Sequence, residues 1–109
     1  MYSNNIYMYT VIESKSFKSK ADTIWSELER LEFSSHLSLN PLEGDVIPNG
    51  RGLRKIRWSV AGKGKRGGVR IIYYNMLDDG NILLLYIYTK NTQSNIDDKR
   101  LNKLKGSMT

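Results

Sequence analysis

Ile82 to Thr89 reads ILLLYIYT, and an extended segment with apolar side chains at almost every position must be covered on both faces. It therefore predicts a central strand, and the segments before it follow from that. The DDG turn at Asp78 to Gly80 joins it to a strand over Val69 to Leu77, and the two form a hairpin. Further back, Leu53 to Trp58 alternates strictly, with Arg54, Ile56 and Trp58 on one side and Leu53, Lys55 and Arg57 on the other. Ile56 and Trp58 require a core, so Lys55 and Arg57 are expected to leave the opposite face side by side.

The first third reads differently. Residues 6–12 (IYMYTVI) are β-branched and aromatic and suit a first strand. Phe17, Ile24, Trp25, Leu28 and Leu31 then recur near a spacing of about 3.6, which predicts an amphipathic helix capped by Ser14 or Ser16. A second helical piece, Phe33 to Leu39, is expected to end where Asn40 meets Pro41, because the residue before proline is pushed out of the helical region. Residues 41–52 are rich in Pro and Gly and read as a loop. Ile96 to Lys105, with Leu101 and Leu104, reads as a short basic helix capped by Asn95 or Asp97. The expected order is β-α-α-β-β-β-α in one α+β domain over 1–109, a length with room for a single modest core.

The absence of cysteine removes disulfides, thiolate metal sites and a cysteine nucleophile together. One histidine, His36, builds no zinc site alone, and in a helix between leucines it reads as a surface or packing residue. The longest apolar run, Ile82 to Tyr88, is far too short to cross a bilayer, and Met1 to Asn5 is polar. A cytoplasmic, unprocessed chain with no membrane partner is the expectation. The net charge of +6 is concentrated: Arg51 to Arg70 holds eight basic residues and no acidic one, leaving nine basic against eleven acidic elsewhere, a net −2. A field gathered in one segment favours polyanions, nucleic acid first among them, while the bland alternative is a solvated hairpin.

Gly62, Gly64 and Gly67 spell GxGxxG, but a dinucleotide fingerprint needs a strand before it and a helix after it, and here a strand follows. The phosphate-loop spacing fails as well, so no nucleotide cofactor is expected. The loop does carry Lys63, Lys65 and Arg66 on a backbone with little bulk, which suits either phosphate binding or a hairpin tip without a ligand. Lys55, Arg57 and Arg70 come from neighbouring strands and can converge. Cleavage of RNA by its 2′-hydroxyl needs a base, a group to neutralise the phosphorane and an acid for the leaving oxygen. Arginine suits the developing charge, and a lysine crowded by other cations gives up its proton more readily, making Lys55 the candidate base. Tyr73, Tyr74, Tyr86 and Tyr88 read mainly as hairpin core, with base stacking the alternative. Asp78, Asp79, Asp97 and Asp98 belong to a turn and a helix start, so no carboxylate pair for acid–base hydrolysis is evident.

The blocks GDVIPNGRGLRKIRW, GKGKRGGVRIIYY and LLLYIYTKN, in that order and at these spacings, resemble a branch of the RelE/HigB toxin superfamily over about residues 6–105. The resemblance implies an antiparallel sheet with two N-terminal helices packed on one face, a short C-terminal helix and a basic concave face left open. It also implies metal-independent cutting of mRNA in the ribosomal A site, leaving a 2′,3′-cyclic phosphate. Lys55 and Arg57 match the paired cations of the first basic strand, and Arg70 the arginine beginning the next; in the better-known branch these supply the base and transition-state stabilisation. That branch has an arginine just after the last strand where this chain has Asn91, and Lys90 beside it becomes the candidate acid or phosphate clamp. Its C-terminal tyrosine has no counterpart, since residues 91–109 contain none. Arg54, Lys63, Lys65 and Arg66 are the candidate contacts to mRNA or ribosome. The implied partner is an antitoxin, a helix-turn-helix protein, that covers the basic face or displaces the C-terminal helix. Two alternatives stay open: a non-catalytic RNA- or ribosome-binding module, and a degenerate toxin acting only with its antitoxin in transcriptional autoregulation.

Overall fold

The computed structural model describes residues 8–59, 68–89 and 98–106. The chain runs β1 (Thr10–Glu13), α1 (Lys15–Ile24), α2 (Glu27–Leu39), β2 (Asp45–Val46), β3 (Leu53–Trp58), β4 (Val69–Met76), a 3-10 turn (Leu77–Asp79), β5 (Asn81–Thr89) and α3 (Asp98–Gly106). The fold is α+β, with one five-stranded sheet in the order β1-β5-β4-β3-β2. The sheet is mixed and not antiparallel throughout as expected, because β1 runs parallel to β5, Thr10 opposite Asn81 and Glu13 opposite Leu84. Both strands start from the same end, where Tyr9 N–H donates to Ser38 O and Thr10 N–H to Gly80 O. The remaining pairs are antiparallel. The loop before β3 also contains a short strand, β2, which pairs with Arg54 and Lys55. No helix among the described residues is long and apolar enough to cross a membrane.

The expected first helix is divided. Ser14 caps α1, its Oγ accepting from Phe17 N–H at 3.1 Å. Trp25 is extended at φ −138°, and a new helix begins behind Ser26, whose Oγ accepts from Glu29 N–H while the Glu29 carboxylate accepts from Ser26 N–H. This reciprocal cap satisfies two helix-end donors at once and outweighs continuation of α1. The restart turns Leu28 and Leu31 to solvent, 65% and 63% exposed, while Phe33 and Leu37 face inward. Asn40 closes α2 before Pro41 as the sequence leads one to expect.

Both N-terminal helices cover one sheet face. Phe17, Trp25, Phe33 and Leu37 pack on Ile56, Ile71, Tyr73 and Ile87, with a run of ring contacts from Phe17 through Trp25 and Phe33 to Trp58 at 6.4, 5.5 and 5.3 Å. On the opposite face Leu101 and Leu104 of α3 close over Leu53, Ile72 and Leu85. That face is thus partly covered, where the resemblance implied an open one. β5 contributes buried residues to both cores, which explains its unbroken apolar run. A bulge interrupts its register, with Ile72 opposite Tyr86 but Tyr73 opposite Leu84, so that Leu85 is the extra residue. Ile82 and Leu84 lie in the core under α1 and α2, whereas Leu85, Tyr86 and Tyr88 lie on the α3 face.

Candidate active site

The strict alternation of β3 places Lys55 and Arg57 on the face opposite Ile56 and Trp58, and the antiparallel register sets their neighbours. Arg57 stands directly opposite Arg70, and Arg70 directly opposite Tyr88; the next row on the same face is Lys55, Ile72 and Tyr86. Directly paired positions hold their Cβ atoms about 5 Å apart, and like charges so placed destabilise a sheet. The fold nevertheless puts two guanidinium groups there. Arg57 is exposed, but Arg70 keeps only 9% of its surface accessible. Among the described residues neither has a carboxylate within ion-pair distance; the pairs present join Arg30 to Glu13 and Asp22, and His36 to Glu43. A nearly buried cation without a carboxylate partner is costly, and such groups concentrate at functional sites.

Tyr88, at 1% exposure, is the inner wall of this row. Burial pushes its phenol above the ordinary 10.0, opposed by the charge of Arg70 and assisted by Tyr86. It therefore keeps its proton throughout the neutral range. Its hydroxyl has no hydrogen-bond partner among the described residues. Tyr86 lies beside it with ring centroids 5.7 Å apart, and draws in Lys20 of α1 and Arg100 of α3, 4.8 and 5.0 Å from its centroid. Gly68, which enters β4, sits close under this row: a Cβ there would meet Trp58 O at 3.0 Å and lie 3.7 Å from Arg70 Nη1.

The sequence-derived candidates divide accordingly. Lys55, Arg57 and Arg70 share one face. Arg54 lies on the other, where its guanidinium donates to Leu42 O at 3.2 Å and Gly44 O at 2.7 Å, and so ties down the loop before β2. Lys63, Lys65, Arg66 and Lys90 lie outside the described residues. His36 packs on Trp58, rings 5.1 Å apart, and contacts Glu43, which is the packing role expected of it. Sequence reasoning did not place Tyr88 against Arg70, nor bring Lys20 and Arg100 to Tyr86. The bulge hid the first, and the second joins residues from three elements far apart in the chain. Among the described residues no group of three or more His, Cys, Asp or Glu is arranged to hold a metal ion.

Chemically, the row Arg57–Arg70–Tyr88 offers two forked donors, backed by a buried tyrosine ring, on a face rich in cations. It suits a phosphodiester, whose charge the arginines take up bidentately. Fold and face together define a class, a small α+β domain with a cationic, aromatic-walled sheet surface. No known protein-family model matches the chain.

Proposed function

We propose that the protein is a ribosome-dependent mRNA endoribonuclease of the RelE/HigB type, the toxin of a toxin–antitoxin pair. The observation that carries this reading is the cross-strand pair of Arg57 and Arg70, one exposed and one nearly buried, with no carboxylate partner among the described residues. In this reading Arg57 and Arg70 grip the scissile phosphate and stabilise the phosphorane. Lys55, on the same face, takes the proton of the attacking 2′-hydroxyl, and Lys90, just past β5, supplies the proton to the leaving oxygen. The α+β fold, with α1 and α2 on one face and the basic row on the other, supports this reading at the level of fold class. An antitoxin that neutralises the row with its own carboxylates would be captured quickly through complementary charge.

Purified protein added to ribosomes carrying a defined mRNA, followed by primer extension, tests the proposal. New 5′ ends at codon boundaries are expected. Binding that weakens with salt but leaves the mRNA whole would make the protein a binding module instead.

A further inference from the structure

A second basic feature lies beside the arginine pair on the same face of the sheet. Where the start of α1 meets β5 and α3 there is a cleft of about 430 Å³. Lys15 and Lys20 line it from α1, and Arg100 and Lys103 from α3; no carboxylate lines it among the described residues. Its floor is apolar, made by Leu83, Leu85 and Leu104. Tyr86 joins floor to rim, its hydroxyl accepting from Lys20 Nζ at 3.3 Å. The end of α1 adds to the same field. Ser14 satisfies Phe17 N–H with its hydroxyl and Lys18 N–H with its carbonyl, whereas the first amides of a helix have no acceptor within it. The positive end of a helix normally attracts acidic side chains, yet the first turn of α1 contains none and begins with Lys15. A helix start, four cations and an apolar floor thus surround one space.

We infer that this cleft binds a nucleoside phosphate. The phosphate sits among the four cations at the start of α1, where the helix and the side chains attract it together. The base lies against the leucine floor and the guanidinium plane of Arg100, a surface on which bases stack. A bare phosphate would leave most of the volume and all of the apolar floor unused, whereas the volume is in the range of ligand pockets, about 300–1,000 Å³. The cleft also adjoins the first site. Tyr86 and Tyr88 are two residues apart on β5, about 7 Å along the strand, and Tyr88 stands beside Arg70. A single RNA strand gripped at Arg57 and Arg70 reaches the cleft with a neighbouring nucleotide. A free nucleotide has the same recognising chemistry.

Titration of the full chain with adenosine 5′-monophosphate by calorimetry tests the inference, with adenosine as the uncharged control. Saturable binding is expected, weakened roughly tenfold or more by the double substitution Lys20→Gln and Arg100→Gln, since each removes a charge-assisted contact. Both side chains are exposed, so the fold is expected to survive the double substitution, with a single cooperative melting transition, while binding is lost. No saturable binding, equal affinity in the substituted protein, or adenosine binding as well as the monophosphate would each overturn the inference. Competition by a 2′-O-methyl RNA that resists cleavage identifies the bound unit as part of a strand, and absence of competition identifies it as a free nucleotide; either source fits the cleft. The Arg70→Ala variant separates this inference from the proposed nuclease. It retains monophosphate binding without cutting, and a wild-type protein that binds the nucleotide but never cuts mRNA contradicts only the nuclease.

Discussion

Tyr73 and Tyr88 are both fully packed, yet their hydroxyls differ. Tyr73 Oη accepts from Gly44 N–H at 2.9 Å and donates to Pro41 O at 2.8 Å, holding the loop before β2; a Cβ on Gly44 would come within 2.7 Å of that oxygen. Tyr88 Oη has no partner among the described residues. Tyr73→Phe is therefore expected to cost about 1–3 kcal/mol in urea denaturation by leaving a buried amide without its acceptor. Tyr88→Phe is expected to be neutral or stabilising. Burial holds both phenols above their ordinary 10.0. The unfolded chain ionises first, so stability is complete below about pH 10 and falls as the pH rises beyond it; a denaturation series across that range that stays flat would contradict the assignment. At this scale the shared face of Lys55, Arg57 and Arg70 was legible, and so was the burial of the tyrosines, but not the face that Tyr86 and Tyr88 take. Alternation in β3 puts Lys55 and Arg57 on one face whatever else happens, and the following strand brings Arg70 alongside. The face of Tyr86 and Tyr88 depends on the bulge at Leu85, and a run of apolar residues carries no mark of where its register slips.

Among the elements, the strands of the β3–β4–β5 meander and the end of α2 were readable from alternation, turn residues and Pro41. The break between α1 and α2 was not read, although Ser26 and Glu29 spell a capping box, because Ile24, Trp25, Leu28 and Leu31 keep a helical spacing straight through it. Local hydrogen bonding overrode periodicity there. Ser26→Ala should lower stability by about 1 kcal/mol, measured by chemical denaturation, while Ser19→Ala on an exposed part of α1 changes little. Equal effects of the two substitutions would mean that the cap does not define the start of α2. Arg30 reinforces the same junction by reaching Glu13 at 2.8 Å and Asp22 at 2.6 Å, pairs that raise its affinity for the proton further. The parallel pairing of β1 was equally hidden, since a four-residue edge strand carries no pattern that distinguishes its direction.

For the molecule as a whole, the segregation of charge seen in the sequence becomes a division of faces. The excess of positive charge in Arg51 to Arg70 does not act as one patch: Arg54 holds a loop on the helix-covered face, and Arg57 and Arg70 share the other face with the cleft beneath α3. Composition reports how many cations a segment has, and only strand pairing says which of them act together. In the proposed nuclease, position and not total charge governs cutting. The most direct test compares Arg70→Ala with Lys18→Ala, which removes the same charge from an exposed position on α1, in primer extension on ribosome-bound mRNA at matched melting temperature. A loss of cutting on the order of a hundredfold or more is expected for Arg70→Ala, and near wild-type cutting for Lys18→Ala. Full activity in Arg70→Ala, or an equal loss in both, would contradict the proposed nuclease.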